Sequence, residues 1–441
     1  MSITSRLLIA ALSAAPCLAP IAAMADDAIA RPMLPPFYES VMKMKPEGKL
    51  GQVIRQEKIA TSIKGAEAWR IAYVSSDLND VKTISTAVVV APEGKAPKGG
   101  RPVVIWSHGT TGGAANCGPS QVLDPAKPLN LYFRIGGDSW TDYGLPALEQ
   151  FIKSGYVVVG TDYQGLGSPG KHQYLVARTQ GRDAINAGRA VGTIKEVGAG
   201  KKALGIGWSQ GGGSTIAAAG QPDYIAQKGT ARDGLEFVGF VAMAPDDMAA
   251  VVPKPTDAAS AKNAIDELTQ TFSGNVFEFA HFAMMLWGIQ AAYPDKLKYT
   301  DVYTEDGAKA LDEVYRTKCI HASSDTLSYT FGNNYKTLMR ADRQNELAWA
   351  QAFQTVSVPN DVKPVAPVMI YYGNNDTTLP PIQHELYRKN MCAIAGANVG
   401  RMQLPGNQDH FSTPGLSEQY YLPWIADRFA GKSAPDGCAS N

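Results

Sequence analysis

Gly207-Trp208-Ser209-Gln210-Gly211 has glycines two residues before and two residues after a serine. A short apolar run, Ala203 to Ile206, precedes this stretch, and small residues that can form a helix (212–219) follow it. The G-x-S-x-G pattern between a strand and a helix predicts a nucleophile elbow, a sharp turn that exposes the serine at the end of a sheet. The turn strains the serine backbone, which only small neighbours permit, and the helix directs its N-terminus at any oxyanion formed there. Ser209 is therefore the predicted nucleophile.

Continuous apolar segments alternate with predicted helices on both sides of the elbow. Such segments are typical of parallel strands that helices cover on both faces. They are 102–106, 156–160, 203–206 and 237–243, and helices are predicted over 143–154 and 183–197. Three earlier segments have the pattern of antiparallel strands: 53–59, 68–75 and 83–90. This succession predicts an α/β fold with a mostly parallel, doubly wound sheet.

The alternation stops at Ala244 and resumes with a strand at 367–372. The residues between them have mainly helical patterns, and one predicted helix, 269–293, is apolar on nearly all faces, although Glu278 and His281 argue against a membrane span. We expect an inserted helical cap over the carboxyl edge of the sheet. The apolar helix then forms the core of the cap or, in the alternative, a lid that contacts substrate. The predicted organisation is a signal peptide (1–25), the first part of the core (26–244), the cap (245–360) and the second part of the core (361–441).

The N-terminus has the pattern of an export signal. Arg6 precedes an uncharged run that ends in Ala23-Met24-Ala25, an A-x-A cleavage site. Pro16 and Pro20 interrupt the run, which disfavours the alternative of a membrane anchor. A secreted or periplasmic protein is expected, with no transmembrane segment in the mature chain.

Charge and cysteine content restrict the function further. Lys and Arg number 41, as do Asp and Glu, so the composition indicates no basic surface for nucleic acid. In an oxidising compartment an even number of cysteines favours disulfides, here two with three possible connectivities, and buried free thiols are the alternative. Their spacing is not that of a metal site, so no metal is expected. The cysteines left after cleavage are Cys117, Cys319, Cys392 and Cys438.

A serine hydroxyl needs an adjacent base to act as a nucleophile at neutral pH, and the base needs a carboxylate to orient it. After an elbow of this kind the partners follow in the order acid, then histidine. His410 lies between the last predicted strand, near 401–404, and the last predicted helix, 416–429, where a base can reach back over the elbow. His384 lies in a helical pattern that would place it on a surface face. We therefore predict His410 as the base.

The acid is expected in the loop after the strand that follows the cap. Asp376 is the only carboxylate of that loop, 373–380. Asp409 is the rival, but it adjoins His410 in the sequence and cannot easily reach its Nδ1 atom. A helix-capping role near Pro381 is the alternative for Asp376.

An oxyanion hole needs two preorganised N–H donors. The residue after the nucleophile, Gln210, supplies one, and the loop after an early strand, 107–112, supplies the other, which we assign to Thr110. His108 in the same loop then shapes the loop and is not a second base.

The run Gly165 to Gly170 matches G-x-G-x-x-G, a pattern of dinucleotide-binding loops. Pro169 and the polar residues after it interrupt the helix that a pyrophosphate would need. We therefore predict a tight glycine-rich loop with no nucleotide, and a structural role for Asp162 just before it.

Together these motifs resemble the secretory lipase family, fungal lipase A-like proteins of the α/β-hydrolase superfamily. The similar segments are the oxyanion loop (106–112 and 117–120), the loop after the second apolar strand (160–167), the elbow (207–212), the acid loop (373–376) and the base loop (409–411). The resemblance implies an α/β-hydrolase fold and an exported esterase or lipase that needs no cofactor. It also implies that Cys117 pairs with Cys319, and Cys392 with Cys438.

The predicted function is hydrolysis of carboxylic esters through an acyl-enzyme on Ser209. The apolar cap favours acyl or aryl esters, so the expected substrate is a small-molecule, lipid or polymer ester, and the expected assembly is a monomer. The same triad could serve an acyltransferase or a peptidase. A non-catalytic binding module on the same scaffold would lack a triad member, and none is missing.

Overall fold

In the computed structural model, residues 33–121 and 144–439 are described, and nine strands among them form one mixed sheet. These residues belong to a single unit, Pro32–Asn441. The predicted signal peptide lies outside the described residues. The strands are β1 (Val53–Ile59), β2 (Ala66–Ser76), β3 (Lys82–Pro92), β4 (Arg101–Ser107), β5 (Val157–Thr161), β6 (Ala199–Trp208), β7 (Glu236–Met243), β8 (Val368–Tyr372) and β9 (Val399–Gln403).

The strand order is β1-β2-β3-β5-β4-β6-β7-β8-β9. The six strands from β5 to β9 in this order run parallel, whereas β1, β2 and β3 pair antiparallel. Along β4, Val103 and Ile105 belong to the core on one face of the sheet, and Val104 and Trp106 belong to the core on the other. Because both faces are covered, the parallel strands need continuous apolar runs. The predicted α/β class and mostly parallel sheet are confirmed.

Helices cover both faces of this sheet. Residues of α3, α4 and α11, as defined below, pack on one face, and residues of α2 and α12 pack on the other. The helices of the described residues are α1 (Pro36–Val41), α2 (Leu148–Lys153), α3 (Ala177–Val191), α4 (Gln210–Ala219), α5 (Pro222–Ala226), α6 (Ala258–Thr271), α7 (Val276–Ala292), α8 (Glu305–Thr317), α9 (Ile320–Phe331), α10 (Glu346–Val356), α11 (Ile382–Cys392) and α12 (Thr413–Phe429).

Helix α3 begins six residues before the predicted start at Asp183 and ends six residues before the predicted end at Val197. Its first turns bury polar side chains, among them Thr179, Gln180 and Asp183, so the hydrophobic pattern does not mark where it starts. Burial of polar groups requires hydrogen-bond partners from other elements, which a local sequence pattern does not reveal.

The five helices α6–α10 lie in the chain between β7 and β8, and we call them the inserted helices. They share a hydrophobic core that includes Phe279, Trp287 and Trp349. The single helix predicted over 269–293 is wrong, because α6 ends at Thr271 and α7 begins at Val276. The side chain of Asn275 accepts the backbone N–H of Glu278 at 2.9 Å. This contact caps the N-terminus of α7, so a new helix begins here.

Two disulfides join distant parts of the chain, with the pairings that the family resemblance implies. Cys117 in the segment after β4 is bonded to Cys319, the residue before α9. Cys392 at the end of α11 is bonded to Cys438 near the C-terminus. Among the described residues, no helix combines the length and the apolar character that crossing a membrane requires.

Candidate active site

Ser209 lies in the turn between β6 and α4 with φ 58° and ψ −123°. An added Cβ at Gly207 would lie 2.2 Å from the carbonyl oxygen of Gly211, and one at Gly211 would lie 1.9 Å from the carbonyl oxygen of Ser107. Both positions therefore need glycine. The Ser209 carbonyl accepts the N–H groups of Gly213 (3.1 Å) and Asp246 (3.0 Å), which hold the turn in this strained conformation.

A continuous hydrogen-bonded path connects Ser209, His410 and Asp376. The Nε2 atom of His410 lies 2.9 Å from Oγ of Ser209, and its Nδ1 atom lies 2.7 Å from Oδ2 of Asp376. Because the carboxylate accepts, Nδ1 carries the proton, and Nε2 is left to accept the serine proton. The three side chains are buried, with exposed fractions of 9% for Ser209, 3% for His410 and 4% for Asp376.

Backbone contacts fix the two loops that carry the acid and the histidine. The Oδ1 atom of Asp376 accepts the N–H groups of Thr378 (3.0 Å) and Leu379 (2.8 Å). The indole of Trp208 donates to the carbonyl of His410 at 3.1 Å. The acid, the base and the nucleophile thus follow the ends of β8, β9 and β6, which lie within four consecutive strands of the sheet.

Thr110 and Gln210 line the same pocket as Ser209. The Thr110 hydroxyl is hydrogen-bonded to the Tyr174 hydroxyl at 2.7 Å, which connects the loop after β4 to the segment before α3. The buried His108 donates from Nδ1 to the Gly109 carbonyl at 2.6 Å, and burial lowers its pKa to about 4. His108 thus contacts its own loop.

Asp162 accepts the N–H of Ser120 at 2.7 Å and the hydroxyl of Thr86 at 2.6 Å. Burial raises its pKa to about 6. In the glycine-rich loop that follows, a Cβ at Gly165 (φ 87°) would lie 2.5 Å from the backbone nitrogen of His172. The backbone of Lys171 and His172 therefore packs directly against Gly165, which is why this position needs glycine.

The predicted surface position of His384 is wrong. His384 lies on α11 but is fully buried, and its Nε2 atom is 3.2 Å from the Pro245 carbonyl. Burial lowers its pKa to about 3. Helix α11 packs a face of mixed polarity inwards, with Gln383 and Tyr387 also buried, so periodicity alone assigns its faces incorrectly.

A pocket of about 280 Å³ lies over Ser209 between the sheet edge and the inserted helices. Its apolar walls include Phe272, Phe282, Leu379 and Phe411. Four acidic or histidine side chains beyond the triad also line the pocket, and the sequence motifs do not predict them as site residues: Asp246, Glu278, His281 and His321.

A local signal exists for two of these residues. Glu278 and His281 stand three positions apart in a segment that is otherwise almost wholly apolar, the spacing of one helix face. Asp246 has no comparable sequence signal, because it follows a strand in an irregular segment. Burial raises the pKa of Asp246 to about 7. No group of three His, Cys, Asp or Glu residues within 33–121 and 144–439 could hold a metal ion.

A sequence model of the family described as Secretory lipase matches residues 139–437. Lipase 9 of Candida albicans is 24% identical over 430 residues, which cover 92% of this chain and 85% of that protein. The secreted triacylglycerol lipase LIP4 of Malassezia globosa is 23% identical over 449 residues, which cover 95% of this chain and 86% of that protein.

Solved structures share the fold. Candida antarctica lipase A in its closed state superposes with a TM-score of 0.66 at 17% identity, covering 94% of this chain and 88% of that one. The rice cell wall degrading esterase LipA from Xanthomonas oryzae, in a ligand-bound form, gives a TM-score of 0.63 at 16% identity, covering 86% of this chain and 100% of that one.

Proposed function

Because this chain belongs to the secretory lipase family and is an ester hydrolase of the α/β-hydrolase fold, we propose that Ser209, His410 and Asp376 are its catalytic triad. The observation that carries this proposal is the hydrogen-bonded path from Asp376 through His410 to Ser209, with distances of 2.7 and 2.9 Å. This path leads from a buried carboxylate to a hydroxyl in a substrate-sized pocket.

In the acylation half-reaction, Oγ of Ser209 attacks the ester carbonyl carbon while Nε2 of His410 takes the hydroxyl proton. Asp376 stabilises the imidazolium and keeps its Nδ1 proton in place. The amides of Thr110 and Gln210 donate to the oxyanion of the tetrahedral intermediate. When the intermediate collapses, His410 returns the proton to the leaving oxygen, and the alcohol departs.

In the deacylation half-reaction, water attacks the acyl-serine carbonyl and His410 takes one of its protons. A second tetrahedral intermediate forms at the same oxyanion site, and its collapse restores the Ser209 hydroxyl and releases the carboxylic acid. Each proton taken by His410 is returned within one half-reaction, so the cycle needs no cofactor.

We assign the remaining functional features in the same proposal. Residues 245–360, which contain the inserted helices, act as a cap that closes the pocket over Ser209, and the apolar walls bind the carbon chain or ring of the ester. Export to a secreted or periplasmic location is supported by the two disulfides, which persist in oxidising compartments. The protein acts as a monomer.

The test compares the purified protein with Ser209→Ala on a series of chromogenic esters from short to long acyl chains. The variant should fold and lose at least about 10³-fold in kcat, because the path then lacks the hydroxyl that forms the acyl-enzyme. Ser260→Ala is the matched control, because Ser260 lies in the exposed cap at the N-terminus of α6. This variant should retain activity. Ester hydrolysis that survives in Ser209→Ala would overturn the assignment of the nucleophile.

A further inference from the structure

Helix α7 contributes Phe277 and Phe282 to the apolar walls of the pocket. The same helix carries one amide side chain, Gln290, and two ionisable side chains, Glu278 and His281. Gln290 is used outside the pocket, since its Oε1 atom accepts from Lys171 at 2.9 Å. Glu278 and His281 lie three positions apart, and both line the pocket that contains Ser209. Of these three polar side chains, Glu278 and His281 therefore face the pocket in which an ester would bind.

The hydrogen bonding of His281 determines which of its nitrogens can bind a ligand. Its Nδ1 atom lies 2.8 Å from the carbonyl oxygen of Phe277, so Nδ1 must carry the proton and donate. Burial lowers the pKa of His281 to about 4, which keeps the ring neutral near pH 7. The ring also packs against Phe277, with centroids 4.4 Å apart. A fixed, neutral imidazole thus has Nε2 available only as an acceptor.

Glu278 is a second acceptor on the same wall. Its side chain is half-buried, and no lysine or arginine among the described residues forms an ion pair with its carboxylate. The described residues that line the pocket include no lysine and no arginine. An ester that is wholly apolar would remove water from this carboxylate without offering it a donor, and burying an unpaired charge is costly.

A substrate that carries its own donor avoids this cost. A hydroxyl can donate to the Glu278 carboxylate or to Nε2 of His281 while the rest of the ester contacts the aromatic and aliphatic walls. Sites with buried polar groups discriminate strongly against analogues that lack the matching group, because those groups then stay unpaired.

We propose that Glu278 and His281 form a hydroxyl-binding subsite, so that the preferred substrates are esters with a free hydroxyl on the acyl or the alcohol part. This proposal rests on the proposed function, because the subsite acts on an ester held at Ser209. The plainer explanation is that Glu278 only stabilises the N-terminus of α7 through the helix dipole. That explanation predicts an effect on stability and none on selectivity.

The test uses two matched pairs of esters with the full mature protein. The first pair is the nitrophenyl esters of hexanoic acid and of hexanoic acid hydroxylated at its terminal carbon. The second pair is the butanoate esters of propanol and of glycerol. We expect kcat/KM to favour the hydroxylated member of at least one pair by about tenfold, the size expected of one hydrogen bond to a charged group. The pair that responds identifies the part of the ester that reaches the subsite.

Variants connect this preference to the two residues. Glu278→Leu and His281→Phe should each bring the ratio of kcat/KM for the responding pair towards one, whereas Glu278→Gln, which keeps an acceptor, should retain part of it. Phe272→Leu, an apolar change in the same pocket, should alter both esters of a pair alike. A ratio that stays near one in the unmodified protein, or that is the same in all variants, overturns the subsite.

The two proposals fail in different ways. Hydrolysis of the plain esters that depends on Ser209 but shows no hydroxyl preference overturns only the subsite. Absence of hydrolysis that depends on Ser209 for every ester overturns the proposed triad, and the subsite with it.

Discussion

Asp376 forms two kinds of contact that separate its structural role from its chemical role. Its Oδ1 atom accepts two backbone N–H groups of its own loop, and its Oδ2 atom accepts the Nδ1 proton of His410. The alternative that Asp376 merely caps a helix accounts for the first set of contacts. It does not account for the second, which connects the acid to the nucleophile.

Asp376→Asn separates these roles. The amide oxygen can keep the backbone contacts, while the NH₂ group faces Nδ1 of His410 and favours the tautomer with the proton on Nε2, which cannot accept from Ser209. We expect kcat to fall by about 10⁴-fold with little change in the midpoint of thermal unfolding. Steady-state kinetics on a short-chain ester and a thermal melt measure the two quantities.

Asp409→Asn is the matched control, since Asp409 is the neighbouring carboxylate that sequence order leaves as a rival. Its Oδ1 atom accepts the N–H of Ser412 at 2.8 Å, a local turn contact. This variant should keep kcat within a few-fold. A loss in Asp409→Asn as large as that in Asp376→Asn would contradict the assignment of the acid.

At the scale of elements, the break between α6 and α7 determines what the pocket contains. The segment from Phe272 to Asn275 interrupts the apolar run, and Phe272, Asn275 and Phe277 all line the pocket. A single straight helix over this region would carry Glu278 and His281 in a different direction relative to α6. The cap residue Asn275 therefore matters to the geometry of the site as well as to the helix.

Asn275→Ala removes the acceptor for the Glu278 N–H and should lower the free energy of unfolding by about 1 kcal/mol. Asn275→Ser can still cap the helix and should lose only a fraction of this amount. Urea unfolding followed by circular dichroism measures the difference. Equal stability of the alanine and serine variants would show that the contact contributes little to α7.

At the scale of the whole molecule, several buried ionisable groups determine how stability depends on pH. Burial raises the pKa of Asp183 to about 7, while its carboxyl accepts the N–H of Gln164 at 2.9 Å. Burial lowers the pKa of His172 to about 3. Between about pH 4 and about pH 7, Asp183 therefore keeps a proton in the folded protein and loses it in the unfolded chain. Between about pH 3 and about pH 6.5, His172 binds a proton in the unfolded chain and lacks it in the folded protein.

The two groups have opposite effects on stability. The contribution of Asp183 falls as the pH rises from about 4 through about 7, whereas the contribution of His172 falls as the pH drops from about 6.5 through about 3. Asp183→Asn mimics the protonated carboxyl at every pH. The free energy of unfolding of the wild type minus that of Asp183→Asn should therefore decrease between pH values of about 4 and about 7, and stay constant above.

Urea unfolding of both proteins at several pH values measures this difference. The two proteins share the histidines and the other carboxyls, so the contributions of these groups to the free energy of unfolding cancel in the difference. A difference that does not change with pH would mean that Asp183 has an ordinary pKa in the folded protein.

Much of the fold and of the candidate site is predictable because it depends on short stretches. The elbow needs glycines at 207 and 211 for steric reasons that act within a few residues, and strands covered on both faces need continuous apolar runs. The order serine, acid, histidine is the general one after a nucleophile elbow, so the two partners can be sought in short loops further along the chain. Each of these motifs is encoded in a short stretch of sequence. The motifs at 207–211, 373–376 and 409–411 can therefore be recognised from the sequence alone.

The sequence by itself therefore determined the α/β class, the family and the residues proposed for the triad. Only the tertiary structure decided where α3 starts, that His384 is buried, and that Glu278 and His281 face the pocket. Each of these depends on which distant element covers a given helix face. The buried polar side chains of α3 and His384 are stable only where such a distant element supplies partners, and no local pattern records those partners.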